Sequence, residues 1–182
     1  VIDSLTPDQM KAIAQEVCNI FVKLSDLPTN GKFGWVDGTN SKLVDSWFDV
    51  MQKMYDEIVK RNDKTGVVGP EFLNLFASAL NIHKEYFKKV SSRYVYDDIS
   101  SKNVIIKDGK FNGLVDLDQI MYGDFLEPIG RIKASWYGTE HGKVYADAVI
   151  EFLKLNEEQK QMVTVYALLN RINWLSEIGI QF

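Results

Sequence analysis

Three oxygen-bearing side chains stand out in the stretch 94–118: Asp98, then Asn103 five residues later, then Asp116. An apolar run at 104–106, an Asp108-Gly109 pair and a second strand-like run separate the last two. Asp-Gly between such runs is a strong hairpin signal, because a type I′ turn needs positive φ at both central residues. That turn sets Lys107 against Lys110 and predicts Asn103 opposite Leu114. Asn103 then opens the first strand, and Asp116 lies just past the end of the second. Asp98 sits on the loop feeding the same open end. Asn112-Gly113 competes for the turn but would leave the second strand too short, so Gly113 reads as a bulge or a close approach.

A carboxylate, a carboxamide and a second carboxylate at one hairpin mouth suit a hard cation. Magnesium keeps several waters and takes one or two carboxylates together with substrate phosphates. The order Asp, four residues, Asn, hairpin, Asp is also that of kinase catalytic machinery.

The segment resembles the aminoglycoside phosphotransferase and choline kinase-like family, whose motif is His-x-Asp-x-x-x-x-Asn followed by a strand ending in an acid. Here the first motif stands as Tyr96-Asp97-Asp98-Ile99-Ser100-Ser101-Lys102-Asn103, and the second as Val115-Asp116-Leu117-Asp118. Gly123-Asp124-Phe125-Leu126 matches the Gly-Asp-Pro-Leu-like helix start that follows in the family. The close match covers about residues 94–132, and the rest agrees only in helix order. Tyr96 replaces the motif histidine, a supporting residue, and Phe125 replaces the usual proline. The resemblance implies a protein-kinase-like fold and transfer of the ATP γ-phosphate to a hydroxyl of a small molecule. It implies Asp98 as catalytic base and Asn103 and Asp116 as Mg2+ ligands, with Asp118 as an auxiliary metal-site acid. Lys102 falls where some kinases carry a basic residue near the transferred phosphate. The acidic mouth suits a cationic acceptor.

Composition bounds these expectations. The 182 residues favour one domain, and 46% hydrophobic content supports a real core. A net charge of −4 argues against general nucleic-acid binding, which needs a basic face. There is no run of eighteen apolar residues and no secretory signal, so neither a membrane span nor export is expected. Cys18, the one cysteine, reads as a packed helix residue and fits a cytoplasmic setting. His83 and His141 lack any partner at zinc spacing and read as surface or loop residues.

Helices must carry this mouth. Thr6-Pro7-Asp8-Gln9 is a helix start, and Met10, Ile13, Ala14, Val17, Cys18, Phe21 and Leu24 mark its apolar face. Residues 29–40 read as a loop, with Trp35 packed under it. The spacing of Gly31, Gly34 and Gly38 matches no phosphate-cradling pattern. Asn40 or Ser41 is expected to cap a second helix running to about Lys60, and a third runs from Pro70 to about Phe87. Asp124 caps a short helical piece with Pro128 in its first turn. A helix over 144–155 follows. Asn156 and Gln159 form a capping box for the last, which Gly179 stops.

The expected fold is α+β and mostly α, with one small hairpin carrying the site: the C-terminal lobe of a kinase-like fold, over residues 1–182. The strand sheet, lysine and helix glutamate that clamp ATP in kinases are not visible before residue 94. The chain begins at Val1 rather than Met. It therefore reads as part of a parent kinase that also has an N-terminal lobe, inactive when alone. The alternative is a non-catalytic kinase-like binding module.

Overall fold

The computed structural model describes residues 4–36, 42–97, 103–117 and 120–178. The first helix, α1 (Pro7–Ser25), starts on a reciprocal cap. Thr6 Oγ1 accepts the Gln9 amide at 3.2 Å, and Gln9 Oε1 accepts the Thr6 amide at 2.8 Å. Its buried face is the expected one, from Met10 to Phe21. Cys18 lies on that face, and burial pushes its thiol up to about 12, so it is a packing residue.

Strand β1 (Gly34–Trp35) occupies the segment read as loop. Trp35 is 48% exposed rather than packed under it. Helix α2 (Trp47–Thr65) starts later than expected, because Val44 is held extended by a two-way backbone bridge to Phe33. Ser46 provides the cap. Asn40 and Ser41 lie outside the described residues. The helix runs past Lys60 on an exposed polar turn and ends where Gly66 takes a left-handed φ of 63°. The third expected helix is two, α3 (Pro70–Ile82) and α4 (Lys84–Lys89), broken at His83.

Strand β2 (Arg93–Tyr96) follows, then β3 (Val104–Lys107), β4 (Lys110–Leu114) and β5 (Ile120–Gly123). The hairpin is therefore not the whole of the β structure. Strands β1, β5 and β2 form a separate antiparallel sheet in that order. Helices α5 (Glu127–Ser135), α6 (Glu140–Phe152) and α7 (Glu157–Glu177) complete the chain. Helix α6 begins earlier than 144, because Thr139 Oγ1 accepts the Gly142 amide at 3.0 Å. The capping box of α7 is formed by Asn156 and Gln159 as expected, whereas Gly179 lies outside the described residues. No described helix is long and apolar enough to cross a membrane.

Helix α1 packs on α6, and α7 packs on both α5 and α2. The α5–α7 crossing is very close. A Cβ on Gly130 would lie 2.3 Å from Tyr166 Cβ, so only glycine fits there. Gly123 is similarly confined: a methyl added there would lie 3.1 Å from Val95 and 3.2 Å from Trp47.

The elements meet at Asp124, which is buried between β5 and α5. Its Oδ1 accepts the Leu126 amide at 3.0 Å, which turns the chain into α5. Its Oδ2 accepts Tyr86 Oη from α4 at 2.7 Å and Tyr166 Oη from α7 at 2.6 Å. Tyr166 Oη in turn accepts Trp47 Nε1 from α2 at 2.7 Å. Burial raises the Asp124 carboxyl above its usual range, against the opposing effect of these donors.

Asp124→Ala is expected to lower stability by about 3 kcal/mol or more, since the buried Tyr166 hydroxyl, the partly buried Tyr86 hydroxyl and a turn amide lose their acceptor. Tyr86→Phe, which removes one donor cleanly, should cost about 1 kcal/mol. Urea midpoints of the two variants, at unchanged slope, check the ranking.

Candidate active site

The hairpin turn has the expected geometry. Asp108 and Gly109 have φ of 51° and 71°, and Lys107 faces Lys110. The register differs further along. A bulge between Ile105 and Ile106 leaves Asn112 as the extra residue, so Ile105 faces Gly113 and Val104 faces Leu114. Asn103 therefore faces Val115 rather than Leu114, and its carbonyl accepts the Val115 amide at 3.0 Å. The bulge brings Asn103 one residue nearer to Asp116.

Asn103 is buried and Asp116 is exposed, both at the open end of the hairpin. Asp116 has a φ of 64°, a left-handed conformation uncommon for a non-glycine residue, and neighbours fasten the backbone there. One such neighbour is Tyr96, at the motif-histidine position. Its ring is buried, and its hydroxyl lies 2.9 Å from the Val115 carbonyl oxygen and 3.0 Å from that of Asp116. One O–H thus bridges two successive carbonyls and ties β2 to the exit of β4. Asp98, Lys102 and Asp118 lie outside the described residues.

Among the described residues, no group of three or more His, Cys, Asp or Glu side chains could hold a metal ion. Asn103 and Asp116 are nevertheless a carboxamide and a carboxylate at one mouth. That hard-oxygen donor set fits magnesium.

Asp97, beside Asp98, belongs to a cluster that the motif reading left unassigned. Asp97 Oδ2 is 2.9 Å from Arg131 Nη1. Asn170 Nδ2 donates to Glu127 Oε1 at 2.9 Å. Asp97 Oδ1 and Glu127 Oε2 are both buried, and neither accepts from a donor group among the described residues. A proton held by Glu127 and donated to Asp97 accounts for both oxygens. Burial, and next the neighbouring Asp97, push the Glu127 carboxyl well above its usual range. The sequence carried two signs of this cluster. Glu127 and Arg131 are four apart on one helix face, and Asn170 interrupts the apolar stripe of α7.

Three members of the cluster line a cleft of about 690 Å3 to which β1, α2, α5 and α7 contribute. Trp35, Trp47 and Trp174 line it beside Asp97, Glu127 and Arg131. The Arg131 guanidinium lies 5.5 Å from the Trp174 ring centroid, which fixes both side chains.

No family model matches the sequence, and no curated protein matches it by sequence. Solved structures match it by fold. The ADP-bound aminoglycoside phosphotransferase APH(2″)-Ib aligns with a TM-score of 0.62 at 16% identity, over 99% of this chain and 62% of its own. The streptomycin–ATP–APH(2″)-IIa ternary complex aligns at 0.66 and 14% identity, over 99% and 60%. A protein described as a fructosamine-3-kinase from Thermobifida fusca aligns at 0.67 and 14% identity, over 96% and 60%. The chain thus spans 60–62% of the length of these proteins. At such identities the likeness is one of fold. The chain has a kinase-like fold, mostly helical with a few small antiparallel strands.

The raised Glu127 carboxyl makes stability depend on pH. Folded Glu127 binds its proton more tightly than the unfolded residue does, with its ordinary pKa of about 4.3. Its contribution is therefore complete below that pH and is lost as pH rises through the folded value. Glu127→Gln keeps a neutral donor and should become progressively more stable than the wild type as pH rises above about 4.3. Urea unfolding of both proteins from pH 4 to 8 measures this. Tyr96→Phe should cost about 1 kcal/mol and speed hydrogen exchange at the Val115 amide before that of the α7 core.

Proposed function

We propose that this chain is the catalytic-loop and metal-binding lobe of an ATP-dependent phosphotransferase. It would move the γ-phosphate to a hydroxyl of a small molecule, with residues 1–182 as one lobe acting together with a nucleotide-clamping lobe. A cytoplasmic setting suits an ATP-dependent reaction. The observation that carries this reading is the mouth of the hairpin. There Asn103 faces Val115, and Tyr96 holds the Val115–Asp116 backbone in its left-handed turn. The order of Asp98, Asn103 and Asp116 along the chain is that of phosphoryl-transfer enzymes. The neighbouring structures bound to ADP, or to streptomycin and ATP, support nucleotide and small-molecule ligands for this fold.

On this reading Asp98 orients the acceptor hydroxyl and takes its proton. Asn103, Asp116 and Asp118 would hold Mg2+, and Lys102 would serve the transferred phosphate. Magnesium, when bound, neutralises charge developing on that phosphate. Asp97 keeps the loop before Asp98 anchored to α5 through Arg131 and Glu127. The adjoining 690 Å3 cleft, within the size range of small-molecule sites, receives the acceptor.

The test uses the full-length gene product. Asp98→Ala should lower ATP-dependent transfer at least about 10²-fold, the lower range for loss of a general base. Near-normal turnover by that variant overturns the assignment of Asp98. No nucleotide binding and no transfer by the wild-type product, in the presence of Mg2+, would favour a binding module that keeps only the fold.

A further inference from the structure

The charges along the cleft are not those of a simple acidic pocket. Asp97 is paired with Arg131 at 2.9 Å. Glu177 faces Arg61 at 3.5 Å, and Arg61 is held further by Asn173 at 2.6 Å. Glu127 is buried, and its Oε1 accepts from Asn170. Three charged side chains of the lining remain outside these pairs: Lys42, Lys53 and Glu57. Glu57 is 3.7 Å from Lys60 across an exposed helical turn. Lys42 and Lys53 are exposed, and neither has an ion-pair or hydrogen-bond partner among the described residues. Lys53, Glu57 and Arg61 recur every four residues, so α2 presents one charged stripe to the cleft. Lys42 and Lys53 are therefore the charged side chains of the described lining that no partner engages, in a cleft also lined by Trp35 and Trp174.

We infer that the acceptor received by this cleft carries an acidic group, a carboxylate or a phosphate, which Lys42 and Lys53 recognise. The inference rests on the phosphotransferase reading for the word acceptor, and deepens it by naming the substrate class. Two flexible ammonium groups with free donors suit either anion as point charges. Glu57 between the lysines and the arginine leaves room for an amine on the same ligand. The sequence expectation of a cationic acceptor came from the metal-site acids at the hairpin mouth, which magnesium would neutralise. The cleft itself offers two ammonium groups without a partner among the described residues.

A six-carbon series that varies the charged group tests the inference: glucose, glucosamine, gluconate and glucose 6-phosphate. Binding to the full-length gene product is followed by tryptophan fluorescence and calorimetry without ATP, so loss of phosphoryl transfer would leave this result readable. At least one anion should bind about tenfold or more tightly than glucose and glucosamine, the share of a hydrogen bond to a charged group. The advantage should shrink in high salt. The stronger of gluconate and glucose 6-phosphate identifies which acid is read. Lys42→Gln/Lys53→Gln should remove the anion advantage, and Lys53→Glu should shift preference toward glucosamine. Both sites are exposed, and circular dichroism checks that the variants fold. Equal or absent binding across the series, tighter binding of glucosamine, or an anion advantage that survives the double substitution would each overturn the inference. Should anions bind as expected while the Asp98→Ala variant still turns over, the cleft assignment stands and the catalytic one falls.

Discussion

The carboxylate of Asp124 is the point on which the arrangement turns. Two segments distant in sequence reach it through tyrosine hydroxyls, a third is linked to it by an indole bonded to one of those hydroxyls, and a fourth is turned by it into a helix. Taking a carboxylate out of water is costly unless donors replace the lost hydration. Here Tyr86, Tyr166 and the Leu126 amide replace it. Each donor must be correctly placed at once, so the network specifies where α4 and α7 lie relative to β5. The glycine before it serves the same end, because a side chain at position 123 would push Trp47 and Val95 away.

From that centre the site is built outward along β2 and α5. Strand β2 delivers Tyr96 and Asp97 in succession, with opposite duties. Tyr96 fastens the exit of the hairpin, and Asp97 fastens the start of the loop to α5. The two ends of the 97–116 excursion are thus pinned at adjacent residues.

What the sequence disclosed followed from local chemistry. The capping boxes at Thr6 and Asn156, the Asp-Gly turn and the apolar face of α1 all depend on residues within a few positions of each other. The kinase-like fold was legible because the motif residues come in a fixed order around that turn. The errors arose where distant partners decide. Val44 is extended because Phe33 pairs with it, and β5 exists because β1 and β2 flank it. The bulge at Asn112 shifts the register by one, although Gly113 had marked the place. Asp97, Glu127 and Asn170 were hidden for a related reason. A polar residue within an apolar stripe signals a buried partner, but not which one.

The close crossing at Gly130 has a mechanical consequence. Helices whose backbones touch there cannot slide or part without opening a void, so α5 and α7 behave as a single plate. Trp47 bonded to Tyr166 bolts the start of α2 to that plate. Glu127, Arg131 and Trp174 are therefore fixed furniture on one bank of the cleft. Whatever widening a bulky guest demands falls to the other lining pieces, among them the two-residue strand that carries Trp35.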